Sequence, residues 1–391
     1  MRVLSIHNRY RQRGGEDSVF EDEAQLLEDN GHTVIRYTVS NEDADELNRF
    51  ELAGRTVWST KSYRALSDVI AAERPDVAHV HNSLAMVSPS AYYAARRHGV
   101  AVVQTLHNYR LMCPGVSFLR DGKVCEECIG RRLAWPAIRH GCYLESRAAS
   151  ATVAAMITTH RIVGTWERKV NRYIAPTEFL RNKFIEGGFP AELIAVKPHF
   201  VAVDPGPGAG EDGSALYVGR LAEEKGLRTL LAAWEHAPPG AKLRIVGDGP
   251  LADVVETACN RLDGVEWLGR RAPVEVRQLM GEASFLIFPS ECLEAFGLVV
   301  IEAFRAGTPV LASKIGPGAE LIDHGRTGRH FLRADTDDLA AQIRWFFEHS
   351  ADAALMRPQA RAEYEEKYTA THNYEQLVEI YDAAIQDNRP S

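Results

Sequence analysis

The sequence predicts an α/β fold made of two doubly wound domains, each with a parallel sheet. Short apolar stretches of strand length alternate with stretches of helical periodicity along most of the 391 residues. The chain is too long for one small core and suggests roughly two or three domains of about 150 residues each. A Pro/Gly-rich linker, Asp204–Ser214, separates two such alternations. Ligands are expected at the carboxyl ends of the strands, in a cleft between the two domains.

The first alternation contains the elements of a βαβ domain. Apolar runs predict its strands at Val3–His7, Thr33–Tyr37, Val77–His81, Val100–Leu106 and Tyr173–Ala175. Helical spacing of apolar residues predicts its helices at Val19–Asn30, Ala91–His98 and Ser146–Val170. Two irregular segments interrupt this pattern, the polar loop Arg9–Gly15 and the cysteine-bearing stretch Met112–Tyr143.

The second alternation begins after the linker and has helices between its strands. Its predicted strands are Ala215–Val218, Leu243–Val246, Val265–Leu268, Phe285–Phe288 and Pro309–Ala312. A final helix, about His372–Gln386, follows a break near Tyr368 and is expected to cross back to the first domain. We therefore predict a domain over 1–204 with an insertion near 112–143, a second over 205–368, and a returning segment over 369–391.

Composition and charge bound the class of protein. The chain is 45% hydrophobic and 25% charged, with no apolar run of the roughly 18 residues that a membrane span needs. Its start turns polar too soon for a signal peptide, so we expect a cytoplasmic protein. From Ala94 to Phe200 there are 16 Lys and Arg against 8 Asp and Glu, although the whole chain carries −8. This excess of positive charge suggests an anionic partner, which would be lipid headgroups, a lipid-linked phosphate or nucleic acid. The alternative is a solvated surface with a chance bias.

The stretch Phe288–Glu302 carries the strongest functional signal. It predicts the end of a buried strand, a polar loop, and a helix that opens near Gly297. Glu294 and Glu302 lie eight positions apart, one in the loop and one in the helix. A helix N-terminus suits an anion, and a loop carboxylate accepts hydrogen bonds from hydroxyls. The stretch therefore predicts a pocket for a phosphate with hydroxyls beside it, which a nucleotide sugar fits.

A second set of residues follows the first strand of the second domain. Arg220 and Lys225, with Gly219 before them, are placed to clamp a diphosphate; the alternative is an exposed charged loop. Gly247 and Gly249 form a glycine turn after the next strand, which is a weak signal alone. The sequence has no GxGxxG after its first strand and no GxxxxGK[ST], which argues against a dehydrogenase or a P-loop enzyme.

These motifs support a family resemblance over nearly the whole chain. The second half resembles the donor half of GT-B retaining glycosyltransferases of family 4. The first half is similar to a bacterial subgroup tied to exopolysaccharide and surface-glycan synthesis. The segments that carry the resemblance are Gly219–Gly226, Glu294–Glu302, Gly316–Glu320, His7–Tyr10, Gly14–Asp17, Gly31–His32, Asp76–Asn82 and Gln104–Arg110.

The resemblance implies a role for each donor-side residue. Arg220 and Lys225 would hold the diphosphate, so that no cofactor is required for catalysis. Glu302 would accept from the ribose hydroxyls, and Glu294 would accept from hydroxyls of the transferred sugar. Arg270 would lie where the nucleobase binds. The backbone amides beside Glu294 would come from Phe296, Gly297 and Leu298.

The resemblance also implies roles for residues of the first domain. Gly14 and Gly15 would let this domain close over the phosphates. His107 matches the family's histidine near the transferred sugar and the acceptor; the alternative is a hydrogen-bonded histidine at a strand end. His79 and His81 alternate on one strand and share a face, and a structural role is open for either.

Four cysteines cluster within thirty residues of the insertion. Cys125 and Cys128 have knuckle spacing, and Cys113 and Cys142 lie one on each side. This pattern predicts a structural zinc site with four thiolate ligands; the alternative is four unconnected thiols.

We expect a retaining enzyme that moves a hexose from a UDP- or GDP-linked sugar to a glycan or lipid-linked acceptor in surface polysaccharide synthesis. Peripheral contact with the inner membrane face is expected, and no nucleic-acid partner. The alternatives are a GT-B nucleotide-sugar epimerase or hydrolase, and a non-catalytic sugar-nucleotide-binding protein. The complete set of Arg220, Lys225, Glu294 and Glu302 argues against a degenerate site.

Overall fold

The computed structural model describes residues 1–11 and 14–388. Residues 12–13 of the predicted loop Arg9–Gly15, and residues 389–391 of the predicted returning segment, lie outside the described residues. The chain divides into two compact units. The first comprises Met1–Phe118, Cys125–His199 and the chain from Ala370 onward; the second comprises Leu119–Val124 and Phe200–Thr369.

The first unit is a parallel sheet with helices around it. Its strands are β1 Arg2–Arg9, β2 Thr33–Ser40, β3 Val77–Asn82, β4 Ala101–Thr105, β7 Arg172–Ala175 and β8 Ile194–Val196. Its helices are α1 Gly15–Asp29, α2 Arg49–Val57, α3 Thr60–Glu73, α4 Ser90–Arg97, α5 Trp135–His140, α6 Arg147–Ile162, α7 Thr165–Arg168, α8 Glu178–Glu186 and α16 Ala370–Asp387. The sheet order is β2-β1-β3-β4-β7-β8, so the strand order reverses between β1 and β3.

The second unit has the same architecture with another strand order. Its strands are β9 Ser214–Val218, β10 Lys242–Val246, β11 Val265–Gly269, β12 Phe285–Phe288, β13 Val310–Ser313 and β14 Gly328–Phe331. Its helices are α9 Leu227–Trp234, α10 Ala252–Arg261, α11 Pro273–Glu282, α12 Leu298–Arg305, α13 Gly316–Leu321, α14 Thr336–Glu348 and α15 Ser350–Lys367. The order β11-β10-β9-β12-β13-β14 reverses between β9 and β12. A small antiparallel hairpin, β5 Leu119–Arg120 and β6 Lys123–Val124, groups with this unit.

Strand alternation explains why both faces of the second sheet are covered. Ala215 and Tyr217 of β9 pack into one apolar cluster with α9 and α14, whereas Leu216 packs into another with α12 and α15. Successive side chains of a strand point to opposite faces, so a fully buried parallel strand reads as a continuous apolar run. This is the pattern that made these strands predictable.

The last helix, α16, belongs to the core of the first unit. Leu377 and Ala384 are buried in one cluster with Val3, Val77 and Val103 from the sheet. No helix in the described residues combines the length and the apolar character required to cross a membrane.

Two sequence-based predictions of elements were wrong in detail, and strand β14 was not predicted. The predicted helix Ser146–Val170 is two helices, α6 and α7, because Gly164 adopts a left-handed conformation with φ 69° between them. Helix α1 begins at Gly15 instead of Val19, since Asp17 accepts a hydrogen bond from the Gly14 amide at 2.8 Å and caps the first turn. Strand β14 was missed because its sequence, Gly-Arg-His-Phe, lacks an apolar run.

Candidate active site

Two loops meet at the carboxyl edge of the second sheet, where its strand order reverses. Strands β9 and β12 are hydrogen-bonded neighbours, but the chain leaves them toward opposite ends of the sheet. Such a switch point opens a crevice at the strand ends in doubly wound folds. The loop after β9 contains Gly219, Arg220 and Lys225, and the loop after β12 contains Glu294. The fold therefore brings these predicted donor-side residues to one edge.

Glycines let the backbone segments of this edge approach closely. Gly247 follows β10 with φ 139°, and a Cβ there would lie 1.8 Å from the carbonyl oxygen of Gly219. Gly226 has φ 68°, and a Cβ there would lie 1.9 Å from the carbonyl oxygen of Pro289. Only glycine tolerates both the positive φ and the contact. The loop after β9 is therefore packed against its neighbours on both sides.

Lys225 and Glu294 form the central contact of the site. The ammonium group of Lys225 donates to Glu294 Oε1 at 2.5 Å, and Ser290 Oγ donates to the same oxygen at 2.5 Å. Burial opposes the charge on Lys225, yet the Glu294 carboxylate outweighs it and raises the pKa of Lys225 above its ordinary value. The side chains remain 29% and 19% exposed. A charged, partly open pair at a switch point is suited to binding a polar ligand.

Backbone and side-chain hydrogen bonds hold the two loops in register. The Glu291 amide donates to the Glu224 carbonyl oxygen at 2.9 Å. Thr229 Oγ1, on α9, donates to Glu291 Oε1 at 2.5 Å. The geometry of the Lys225–Glu294 pair thus depends on contacts outside the pair.

Helix α12 begins directly after the Glu294 loop. Gly297 is its N-cap and accepts from the Val300 amide at 2.9 Å, so only the Leu298 and Val299 amides precede the first hydrogen bond of the helix. Phe296 is buried in the apolar cluster beneath, and Leu298 is the first helical residue. Glu302 lies half-buried one turn further along. The predicted sequence of a loop carboxylate, a helix N-terminus and a helical carboxylate is therefore present in one continuous segment.

Two predicted cations are less constrained. Arg220 is 57% exposed and lies 3.7 Å from Glu224, while its carbonyl oxygen accepts from Tyr217 Oη at 2.9 Å. Its backbone is held, and its guanidinium extends into solvent. Arg270 directly follows β11 and is exposed. The structure places Arg270 at the same edge of the sheet but gives it no direct contact with Lys225 or Glu294 among the described residues.

In the first unit, His107 lies in a cluster of histidines at the end of β4. Its Nε2 is 3.1 Å from Nδ1 of His81, and its ring stacks on His199 with centroids 5.3 Å apart. Burial, followed by repulsion from His199 and other histidines, lowers the pKa of His107 well below its ordinary value. A neutral imidazole offers one donor and one acceptor.

One compact set of metal-type ligands lies beside this cluster. Within residues 1–11 and 14–388, the set of three ligand atoms within 4.8 Å of one another is Glu23, His79 and His81. Both ring nitrogens of His79 are already engaged, by Tyr381 Oη and Thr105 Oγ1 at 2.7 Å each. Glu23 binds Lys197 at 2.7 Å. Because the His79 nitrogens and Glu23 Oε1 already have partners, the three residues form a buried hydrogen-bond network and not a set of metal ligands.

A polar group near Gly14 and Gly15 was missed by the sequence analysis. Gly15 opens α1, and Glu16 beside it accepts from Asn108 Nδ2 at 2.5 Å. Burial raises the pKa of Glu16, with hydrogen bonds from Asn108 and Tyr10 acting against it. The only signal in the sequence was the polar run His107–Arg110, whose partner lies 92 residues away along the chain.

All six cysteines are free thiols, and the four of the insertion are neighbours. Partial burial raises the pKa of Cys113, while amides of Phe118, Gly115 and Val116 act against that shift. Burial raises the pKa of Cys128 to about 11, with added repulsion from the other three cysteines of the insertion. Among the described residues these four sulfur atoms do not form a set within 4.8 Å of one another. The structural zinc site stays a prediction.

Two family models match consecutive parts of the chain. Residues 13–204 match "Glycosyltransferase Family 4", and residues 207–363 match "Glycosyl transferases group 1". Solved structures extend the likeness to the whole fold. HepE from Anabaena, in complex with UDP and glucose, aligns with a TM-score of 0.68 at 21% identity over 97% of this chain and 99% of that one. Sucrose-phosphate synthase from Thermosynechococcus elongatus aligns with a TM-score of 0.73 at 17% identity over 99% of each chain.

The two parallel-sheet units and the likeness to these solved structures confirm the predicted GT-B fold. Among curated proteins, the chain is 29% identical over 304 residues to a glycogen synthase of Mycobacterium tuberculosis, covering 74% of this chain. It spans 63% of the length of that relative. It is also 33% identical over 159 residues to the D-rhamnosyltransferase WbpZ of Pseudomonas aeruginosa, covering 40% of this chain and 41% of that one.

Proposed function

We propose that this protein transfers a hexose from a nucleoside-diphosphate sugar to a glycan or lipid-linked acceptor, with retention of configuration. The observation that carries the proposal is the Lys225–Glu294 pair at the switch point of the second sheet. Its location agrees with a ligand crevice at the strand ends. The structural neighbour HepE is in complex with UDP and glucose, which supports this class of donor.

Each donor-side residue then has a distinct task. Lys225 and Arg220 neutralise the diphosphate, and Glu294 accepts from hydroxyls of the transferred sugar. The N-terminal end of α12 adds the positive end of a helix dipole at the same place. Glu302 accepts from the ribose, and Arg270 lies beside the nucleobase.

The chemistry requires such an arrangement. Cleavage of the anomeric C–O bond builds positive charge on the sugar and negative charge on the leaving diphosphate. Fixed cations and helix-end amides stabilise that negative charge, and preorganised groups of this kind typically contribute about 2.7–4 kcal/mol each. In a front-face reaction, an oxygen of the leaving phosphate takes the proton of the acceptor hydroxyl. The neutral His107 accepts a hydrogen bond from a sugar hydroxyl beside it.

The basic surface of the first unit is proposed to contact an anionic membrane. Leu133, Trp135 and Leu144 are exposed apolar residues around α5. The guanidinium of Arg131 lies 5.7 Å from the Trp135 ring centroid. Exposed basic residues surround them, namely Arg132, Arg139 and Arg147. Basic side chains with aromatic anchors are typical of peripheral membrane surfaces.

Vesicle cosedimentation tests this surface. Trp135→Ser should weaken binding to phosphatidylglycerol vesicles, whereas Leu355→Ser, which removes an exposed apolar residue of the second unit, should not. Equal binding of wild type to neutral and anionic vesicles, or binding to RNA in place of vesicles, would contradict the proposal.

We also propose that the four insertion cysteines bind a structural zinc ion. The cysteine spacing of the insertion supports this proposal, since Cys125 and Cys128 have knuckle spacing with Cys113 and Cys142 on either side. Elemental analysis should find about one zinc ion per chain, as a closed four-ligand site requires, and Cys125→Ser should lose it. Metal-free protein from a chelator-free purification would contradict this site.

A thermal-shift screen against UDP, GDP, ADP and TDP and their sugars identifies the donor, since a ligand that binds only the folded state raises the melting temperature. The identified donor is then incubated with and without acceptor glycans, and the anomeric configuration of the product is read by NMR. Acceptor-dependent product with retained configuration supports the proposal. Donor hydrolysis without acceptor would indicate a hydrolase, and binding without turnover a non-catalytic protein.

A further inference from the structure

A continuous line of buried polar groups leads from the interior of the first unit to His107. Lys197 Nζ donates to Glu23 Oε1 at 2.7 Å. The other oxygen of that carboxylate, Oε2, makes no hydrogen bond; it lies 3.7 Å from Nε2 of His81 and 3.9 Å from Nδ1 of His79, and it acts on His81 through its charge. On the far side of the same ring, Nδ1 of His81 lies 3.1 Å from Nε2 of His107. The line thus joins an ion pair, one imidazole and the histidine of the proposed site.

The charge states along this line follow from burial and neighbours. Burial raises the pKa of Glu23, but the Lys197 ammonium group and His79 outweigh it, and the net pKa is lowered, so Glu23 stays a carboxylate. Burial, followed by repulsion from neighbouring histidines and Lys197, lowers the pKa of His81 well below its ordinary value, and the same causes lower that of His107. Both imidazoles are therefore neutral near pH 7. Each carries one N–H and one bare nitrogen.

The carboxylate decides which nitrogen of His81 carries the proton. An ionised carboxylate only accepts hydrogen bonds, so the Nε2 that faces Glu23 is favoured as N–H. Nδ1 of His81 is then bare and accepts. The 3.1 Å contact requires His107 to donate from Nε2, which leaves Nδ1 of His107 bare. The opposite assignment would direct the lone pair of His81 Nε2 at the carboxylate.

Two of the neighbouring histidines, His79 and His7, are bonded to residues outside this line. His79 uses Nδ1 toward Tyr381 Oη and Nε2 toward Thr105 Oγ1. His7 directs Nε2 to Asp17 Oδ1 at 2.8 Å. Within the described residues, His81 is the histidine whose ring lies between Glu23 and His107.

We infer that His81 is a positioning residue that fixes the tautomer of His107, and that Glu23, held ionised by Lys197, fixes the tautomer of His81. His107 thereby presents a bare Nδ1 that accepts a hydrogen bond from a sugar hydroxyl. The use of that nitrogen rests on the proposed function; the tautomer itself does not. The arrangement resembles the general scheme in which a buried carboxylate orients an imidazole, with one additional imidazole between them.

The tautomer is measured directly by NMR on ligand-free protein labelled with ¹⁵N-histidine. Two-bond ¹H–¹⁵N correlations distinguish a protonated Nε2 from a protonated Nδ1, and the spectrum of His107→Gln assigns the His107 signals. We expect the proton of His107 on Nε2 and that of His81 also on Nε2. A proton on Nδ1 of His107 in the wild type would overturn the inference without any further variant.

Glu23→Gln removes the negative charge while keeping the shape of the side chain. We expect the His107 signals of this variant to show a mixture of both tautomers. Glu363→Gln is the matched control, because Glu363 is also a buried carboxylate paired with two cations, Arg326 and Lys367. This control should leave the His107 signals unchanged. Unchanged signals in Glu23→Gln would overturn the inference.

Kinetics separates this inference from the proposed function. With the identified donor, Glu23→Gln should lower kcat by about tenfold, less than the about 10²–10⁴ of a general acid–base group because His107 itself is kept, with little change in donor KM. If the wild type shows the expected tautomer but no transfer, the proposed function fails and the tautomer assignment stands. If the wild type transfers sugar and Glu23→Gln keeps full kcat, the positioning role fails and the function stands.

Discussion

Two short lysine–glutamate ion pairs, Lys197–Glu23 in the first unit and Lys225–Glu294 in the second, lie near the carboxyl edges of their sheets and differ in exposure. Lys197 and Glu23 of the first unit are 0% and 1% exposed, whereas Lys225 and Glu294 of the second are 29% and 19% exposed. The buried pair contacts Asn373 and lies beside His79 and His81. The partly open pair joins the loop after β9 to the loop after β12. The same kind of ion pair is thus part of the buried core in one unit and lies at a proposed ligand crevice in the other.

The largest expected effect comes from breaking the buried pair. Lys197→Met leaves the Glu23 carboxylate buried without its cation, and loss of one partner of a buried pair typically costs about 3–5 kcal/mol. We expect this loss in the free energy of unfolding, measured by urea denaturation. The corresponding change in the open pair, Lys225→Met, should cost no more than about 1 kcal/mol, as for exposed pairs. Equal costs for the two variants would contradict the distinction.

The second effect is a loss of activity, and it comes from the open pair. Lys225→Met should lower kcat/KM for transfer by about 10²–10³, as for removal of one preorganised charge-stabilising group. Glu294→Ala and Arg220→Ala should also reduce transfer strongly while the protein stays folded. Steady-state transfer assays with circular dichroism as the folding control measure this. Near-normal turnover in any of these variants would contradict the donor-side assignment.

The third effect is a dependence of stability on pH that belongs to the first unit. Burial lowers the pKa of His79 to about 4 and that of His199 to about 3. The unfolded chain takes up these protons near pH 6.5, and the folded chain does not. Stability is therefore complete above that pH and is lost as the pH falls from 6.5 toward 4. Each histidine contributes a slope of about 1.4 kcal/mol per pH unit.

Urea denaturation between pH 7 and pH 4.5 measures this slope. His199→Gln should reduce it by the share of one histidine. His98→Gln, at an exposed position, serves as the control and should leave the slope as in the wild type. A wild-type stability that rises as the pH falls would contradict the assignment of neutral buried histidines.

The smallest effect concerns the glycines that shape the open site. Gly226→Ala combines a positive φ with a Cβ 1.9 Å from the Pro289 carbonyl oxygen, so it should cost about 1–3 kcal/mol of stability and weaken donor binding. Gly240→Ala has a positive φ of 82° but nothing within 4 Å of the added Cβ. It should cost about 1 kcal/mol and leave donor binding unchanged. Equal donor affinity in the two variants would show that the contact with Pro289 is unimportant.

The open site was predictable from the sequence because its parts are local. A buried apolar strand, a polar loop and a helix that opens at Gly297 follow one another within fifteen residues, and Lys225 follows the neighbouring strand. The spacing of Glu294 and Glu302 needed no knowledge of tertiary contacts. Parallel strand order then brings Lys225 to Glu294, although 69 residues separate them along the chain.

The buried pair was not predictable for the opposite reason. Glu23 reads as one of several acidic residues on a helix, and Lys197 as a basic residue after a short strand, 174 positions away. His79 and Tyr381 are 302 positions apart, and their contact depends on the return of α16 to the first unit. Alternation placed His79 and His81 on one face, but only the packed structure assigns them different partners.

The most direct test of the central claim is a calorimetric titration with the UDP-, GDP-, ADP- and TDP-linked sugars. We expect one of these ligands to bind the wild type. Lys225→Met should bind it at least about tenfold more weakly, equivalent to 1.4 kcal/mol. Glu363→Gln should bind it as the wild type does. Binding of none of these sugars, or equal binding by the wild type and Lys225→Met, would contradict the claim that the open lysine–glutamate pair is the donor site.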